Sequence, residues 1–248
     1  MNGHPLLEAR GVTVRFGGLV AVDSVSAAFA AGELVGIIGP NGAGKTTFFN
    51  ALSGVQAVSG GELFAQGRRM TGAAPHRYAA MGIARTFQTP RVFGMLPVAA
   101  NIDFGLQFAG RDRKASWLLR DETSILHLIG LAEQARLPAG AITPSQQRLL
   151  EIGMALATRP RLLLLDEVAA GLTEAEVDAM AQLIRRLRDE LDLTVIWIEH
   201  AVTTLLRHVE RVLVLHQGRK IADGVPAEVV RNTEVIEAYL GDEMLEAA

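Results

Sequence analysis

Residues 39–47 read Gly39-Pro40-Asn41-Gly42-Ala43-Gly44-Lys45-Thr46-Thr47, the spacing of a phosphate loop: a glycine, four free positions, then Gly-Lys-Ser/Thr. The glycines let the backbone turn tightly and approach a phosphate with no Cβ in the way. The freed N–H groups, together with the positive end of the following helix, suit a polyanion. Lys45 supplies a cation near the terminal phosphates, and Thr46 a hydroxyl for Mg²⁺. Glycine-rich turns are common, but this one has the right flanks. Leu34-Val35-Gly36-Ile37-Ile38 is a short apolar run suited to a buried parallel strand, and Thr47–Leu52 can continue as a helix. Lys45, Lys114 and Lys220 are the only three lysines, and one of them falls on the required position. The motif reads as a nucleoside triphosphate site.

A second cluster carries acids. Leu162-Leu163-Leu164-Leu165 ends in Asp166-Glu167, and a buried strand that delivers two carboxylates to its C-terminal edge can place chemistry beside a bound ligand. In a phosphate-loop NTPase such an aspartate holds Mg²⁺, and the adjacent glutamate can orient or deprotonate the attacking water. An acidic helix cap after a strand would look the same in isolation. Paired with the phosphate loop, the functional reading is preferred.

These residues need elements to hold them. Residues 6–38 carry short alternating apolar runs broken at Gly17-Gly18 and Gly32, which predicts strands leading into the phosphate loop. Val98–Phe108, with Pro97 at the first helical position, and Ser116–Gly130 read as helices, and Leu149–Ala157 continues that helical stretch. Leu162–Leu165 and Val195–Ile198 are nearly uninterrupted apolar runs, as expected of strands covered on both faces. Between them Thr173 and Glu176 form a capping box, and Val177, Met180, Ile184, Leu187 and Leu191 follow one helical face. Arg211–His216 and Arg219–Ala222 flank Gln217-Gly218 as a small hairpin, and Pro226 opens a helical tail. The expected organisation is one domain of the α/β class with a largely parallel sheet and an antiparallel N-terminal β portion. Residues 1–88 and 158–225 form its nucleotide-binding core, 89–157 a helical subdomain and 226–248 the helical tail.

Composition bounds the rest. The chain of 248 residues can bury a substantial core. Hydrophobic residues make up 49% and mean hydropathy is +0.24, yet no uncharged apolar stretch of ~18 residues would span a bilayer, and Met1–Arg10 is too short and polar for a signal segment. The formal net charge of −3 gives no basic field for nucleic acid. The absence of cysteine excludes disulfides, thiolate metal sites and cysteine catalysis. A cytosolic location is expected.

In order and spacing, these motifs resemble the ATP-binding-cassette (ABC) ATPases through nearly the whole chain. Gly39–Thr47 is similar to Walker A and Leu162–Glu167 to Walker B with its general base. Phe16 stands where the family's aromatic residue stacks on adenine. Gln88, in Arg85-Thr86-Phe87-Gln88-Thr89-Pro90, matches the Q-loop glutamine. Ala170-Gly171-Leu172-Thr173 sits at the D-loop, and His200 at the switch histidine. Taken singly, Phe16 would be core, Gln88 a solvated loop residue and His200 structural; together they follow the family pattern. A narrower likeness at Arg85–Phe93, Gln147–Leu172, Gly218–Gly224 and Val235–Gly241 points to the branched-chain amino acid uptake ATPases, specifically the subunit paired with a shorter partner. The lipopolysaccharide-export ATPase has a similar tail ending in Tyr-Leu-Gly, so the tail alone leaves the direction of transport open. A non-transport ABC ATPase acting as an assembly clamp is the other alternative.

One motif departs from the pattern. The family's signature, Leu-Ser-Gly/Tyr-Gly-Gln, falls on Ile142-Thr143-Pro144-Ser145-Gln146. Thr143 keeps a hydroxyl and Gln146 is retained, but Ser145 replaces the glycine that closes on the γ-phosphate, and Pro144 removes an N–H. Val168 and Thr173 are smaller departures, at positions where the family has proline and Asn or Asp.

The resemblance implies ATP and Mg²⁺ as cofactors, with the metal held by Thr46, Gln88 and Asp166. It implies Glu167 as base, His200 as γ-phosphate sensor, and Thr143, Ser145 and Gln146 acting in trans on a partner's nucleotide. It implies a second ABC ATPase subunit, integral-membrane permeases and, indirectly, a periplasmic or extracellular substrate-binding protein. The chain would then lie peripherally on the cytoplasmic face of the membrane.

Overall fold

The computed structural model describes residues 4–109, 117–199 and 202–246. The chain opens with strands β1 (Leu7–Phe16), β2 (Leu19–Phe29) and β3 (Leu34–Ile38), then helix α1 (Lys45–Leu52). Strands β4 (Gly60–Ala65) and β5 (Arg68–Arg69), helix α2 (Pro75–Ala80) and strand β6 (Ile83–Arg85) follow. The next section is helical: α3 (Val98–Gln107), α4 (Glu122–Leu128) and α5 (Pro144–Ala157). Strand β7 (Leu162–Asp166), helix α6 (Glu174–Leu191), strand β8 (Thr194–Ile198) and helix α7 (Val202–His208) restore alternation. The hairpin β9 (Arg211–His216) and β10 (Arg219–Gly224) leads to α8 (Pro226–Val229) and α9 (Thr233–Glu246).

Two sheets result. An antiparallel sheet runs β2-β1-β4-β5, and a six-stranded sheet runs β10-β9-β3-β8-β7-β6. In the second, only the β10–β9 pair is antiparallel. Strand residues alternate between its two faces. Val35, Ile37, Leu162, Leu164, Ile196 and Ile198 join the core that lies between the two sheets and includes Phe48 and Phe49 of α1. Leu34, Leu163, Leu165, Val195 and Trp197 join the core under α3 to α7 on the other face. This double cover explains why β3, β7 and β8, buried at every position, read as continuous apolar runs.

The expected α/β class with an antiparallel N-terminal portion is what forms. Two elements differ from the sequence reading. Ser116–Gly130 is not one helix: Trp117–Leu119 is a 3₁₀ turn, and α4 restarts at Glu122 because the Asp121 carboxylate accepts the amide of Ser124 as an N-cap. Pro97 is the N-cap of α3, one position before the first helical residue. The capping box of Thr173 and Glu176 is present at the start of α6, where Met180, Ile184 and Leu187 are buried.

Candidate functional site

Register fixes where the motifs meet. Ile37 pairs with Ile198, and Ile198 with Asp166, so the phosphate loop and the acidic pair leave the sheet at one level, two strand spacings or about 10 Å apart. Both face the C-terminal edge of the parallel strands, where α/β sheets bind ligands.

The loop itself is shaped by its surroundings. A Cβ on Gly39 would lie 2.0 Å from the carbonyl oxygen of Leu215, and one on Gly44 would lie 2.3 Å from that of Ala21, both at positive φ. These two glycines answer to neighbouring strands. Gly42, also at positive φ, has nothing within 4 Å of its missing Cβ. The β9–β10 turn buttresses the loop, with the Gly218 amide donating to Ala43 at 3.0 Å. At the start of α1, Gly44 offers no side-chain cap, so the first-turn amides of Lys45, Thr46 and Thr47 lack intrahelical acceptors. They open on a cleft of about 570 Å³ that reaches from Asn41 and Gly42 to Phe16 and Leu19. The Phe16 ring is half exposed at the end of β1. Lys45 is buried, with Nζ donating to the carbonyls of Gly39 at 2.6 Å and Pro40 at 2.9 Å.

The acidic pair is buried: Asp166 is 3% and Glu167 4% exposed. Asp166 accepts from Arg85 Nη2 at 3.2 Å, and its amide donates to Thr86 Oγ1 at 3.1 Å. The same guanidinium donates through Nη1 to Asn50 Oδ1 (2.8 Å) and Ser53 Oγ (2.9 Å), tying α1 to β7. Burial pulls the Arg85 pKa down, opposed by the charge of Asp166. Glu167 takes a left-handed backbone, φ 50°, which costs a non-glycine residue about 1–3 kcal/mol and is commonest at functional sites. Its carboxylate accepts from Gln88 Nε2 at 2.7 Å. Thus Gln88, Asp166 and Glu167 come together, while His200 lies outside the described residues.

Thr46 hydroxyl, Gln88 amide and Asp166 carboxylate are all oxygen donors, a hard set suited to Mg²⁺, which takes one or two carboxylates plus phosphate oxygens. Among the described residues no group of three His, Cys, Asp or Glu could hold a metal by itself.

Thr143, Ser145 and Gln146 form the start of α5, about Pro144 at its first position. Thr143 Oγ1 accepts the Gln146 amide at 3.2 Å, and Gln146 Oε1 accepts the Thr143 amide at 3.0 Å. Thr143 Oγ1 and Ser145 Oγ lie 3.0 Å apart. This capping box was not anticipated, although threonine three residues before glutamine is its usual signature.

Three further residues were missed. Arg85 was noted only within the Q-loop segment. Arg148 Nη1 donates to the Glu167 carbonyl at 2.8 Å. Glu151, 6% exposed, accepts the amides of Phe87 at 3.3 Å and Arg91 at 3.0 Å. Burial pushes its carboxyl up to about 7, opposed by those amides and by the charges of Arg91 and Arg85. Polar side chains on an amphipathic helix ordinarily face solvent, so no pattern in the sequence marked the two on α5.

Comparison with known proteins settles the family. A family model described as "ABC transporter" matches residues 22–170. The chain belongs to the ABC transporter family. A second model, described as "Branched-chain amino acid ATP-binding cassette transporter", matches residues 219–244 of this ABC ATPase. The high-affinity branched-chain amino acid transport ATP-binding protein BraF of Pseudomonas aeruginosa is 38% identical over 252 residues, covering 96% of this chain and 99% of its own. LivG of Escherichia coli K12, with the same description, is 37% identical over 260 residues, with 96% and 99% covered. Among solved structures, the ADP conformation of MJ1267, an ATP-binding cassette of an ABC transporter, superposes with a TM-score of 0.83 at 27% identity, covering 95% of this chain and 98% of that one. This ABC ATPase is therefore an ATP-binding subunit of the branched-chain amino acid type, whose enzymatic activity is ATP hydrolysis coupled to transport. Among its described residues no helix is long and apolar enough to cross a membrane.

Proposed function

We propose that this subunit energises the import of branched-chain or related small amino acids through a pair of membrane permeases, lying on the cytoplasmic face of the membrane. A binding protein outside the cell would deliver the substrate. The observation that carries the chemistry is the 2.7 Å contact between Gln88 and Glu167, beside a strand-loop-helix unit whose first-turn amides face the cleft.

In this reading adenine stacks on Phe16 and the phosphates occupy the loop from Gly39 to Thr47, with the backbone of Pro40, Asn41 and Ala43 completing it. Lys45 Nζ exchanges the carbonyls of Gly39 and Pro40 for phosphate oxygens. Mg²⁺ held by Thr46, Gln88 and Asp166 would supply further charge neutralisation. Glu167 takes a proton from the attacking water as its oxygen bonds to the γ-phosphorus and the bond to the bridging oxygen breaks, giving ADP and phosphate. His200 contacts the γ-phosphate.

Residues 89–157 act as the helical subdomain that relays this chemistry, between core segments 1–88 and 158–225, with 226–248 as tail. An exposed apolar patch supports permease docking there: Met95 is 95% and Phe108 67% exposed, and Phe104 packs edge-to-face on Phe93 and at a tilt on Phe108, at centroid distances of 4.8 and 5.2 Å. Exposed patches of this kind mark interaction sites.

The partner is a second, different ABC ATPase. Thr143, Ser145 and Gln146 act across the dimer on its nucleotide, and the Thr143 hydroxyl is already engaged in the local capping box. The site completed by this signature is the weaker of the two. Gentle purification of the tagged chain from native membranes tests the assembly. Two permeases and a second ATPase are expected by mass spectrometry; self-pairing or only soluble partners would refute it.

A further inference from the structure

Helix α5 reaches the catalytic edge twice from one face. Arg148 holds the main-chain carbonyl of Glu167. Glu151, three residues later, holds the amides of Phe87 and Arg91 with its two carboxylate oxygens. Those amides bracket Gln88, whose side chain returns to Glu167. The contacts close a ring: α5, Glu151, the 87–91 loop, Gln88, Glu167, Arg148 and α5 again. Residues at i and i+3 share a helix face, so both arms move with α5 as one body. The helix begins at the signature residues Thr143–Gln146.

A buried carboxylate is costly unless hydrogen-bonded. Glu151 therefore selects the loop conformation that turns both amides toward it. Gln88, itself exposed, lies between the two points so fixed. We propose that Glu151 is a positioning residue for hydrolysis, holding the 87–91 loop so that Gln88 stands against Glu167, and that with Arg148 it couples movement of the signature helix to that pair. The inference rests on the roles given above to Gln88 and Glu167.

The test is a double-mutant cycle on the ATPase activity of the assembled transporter. Glu151→Gln keeps the shape but sets an NH₂ group against a backbone N–H. It should lower kcat about tenfold while KM for ATP stays within about twofold, because the phosphate loop and Phe16 are untouched. On a Gln88→Ala background it should cost less than about twofold more, since its effect runs through Gln88. An equal loss on both backgrounds, or an unchanged kcat in the parent, would overturn the proposal. If Glu151→Gln does not assemble, Glu151→Asp, which shortens the reach, goes through the same cycle under the same criteria. Retained turnover in Glu167→Gln would instead remove the underlying reading, an outcome distinct from failure of the cycle.

Discussion

Gln88 Nε2 donates to Glu167 Oε2 at 2.7 Å, joining two loops 79 residues apart in sequence. Arg148 holds the main-chain carbonyl of Glu167, so the residue is held at both its backbone and its carboxylate. The amide partner fixes one carboxylate oxygen. Glu167→Gln keeps this shape and removes the base. ATP affinity should stay within about twofold, and turnover should fall about a hundredfold or more. Nucleotide titration beside steady-state ATPase assays separates the two.

The loop glycines should divide into two kinds. Gly39→Ala and Gly44→Ala drive a Cβ into the carbonyls of Leu215 and Ala21 and should cost more than about 2 kcal/mol of stability, against about 1 kcal/mol for Gly42→Ala, which suffers only its left-handed backbone. Thermal unfolding without nucleotide reads this difference. ATP binding should weaken in all three variants.

The parts of the site legible in sequence are those whose chemistry is local. Gly39–Thr47 and Leu162–Glu167 each lie where a strand ends in a loop, and that local placement was legible in spacing alone. The two-sided burial of β3, β7 and β8 was equally visible as apolar runs. What stayed hidden depends on distant partners: Glu151 looks like a surface residue of α5 until the 87–91 loop folds over it, and the closeness of Gly39 to Leu215 shows only once the strands pack. The break before α4 was missed because Asp121 competes locally with helix propagation, a capping preference that apolar periodicity does not register.

Glu151 should also mark the pH profile of stability. Burial raises its carboxyl from 4.5 to about 7 in the folded chain, so folding favours the protonated form. Its contribution is full below pH 4.5 and is lost as pH rises through about 7. Relative to Glu151→Gln, the parent chain should lose about 3 kcal/mol across that window. Denaturant midpoints of both proteins, measured in parallel, cancel the other carboxylates. A constant difference would contradict the buried setting.

The signature sequence gives a gain-of-function prediction. Thr143→Ser with Ser145→Gly returns two positions to the family pattern and removes the hydroxyl 3.0 Å from Thr143 Oγ1. ATPase activity of the assembled transporter should rise about two- to fivefold if the site completed by this signature limits turnover. Unchanged activity would dismiss the idea of unequal sites.

Reconstitution shows whether ATP hydrolysis on this chain drives amino acid import. The complex that copurifies with the tagged chain, placed in proteoliposomes with its binding protein, is assayed for ATP-dependent uptake of labelled leucine, isoleucine and valine. Uptake should saturate with ATP and disappear with Glu167→Gln in this subunit. Equal uptake by parent and variant, or export in place of import, would contradict that reading.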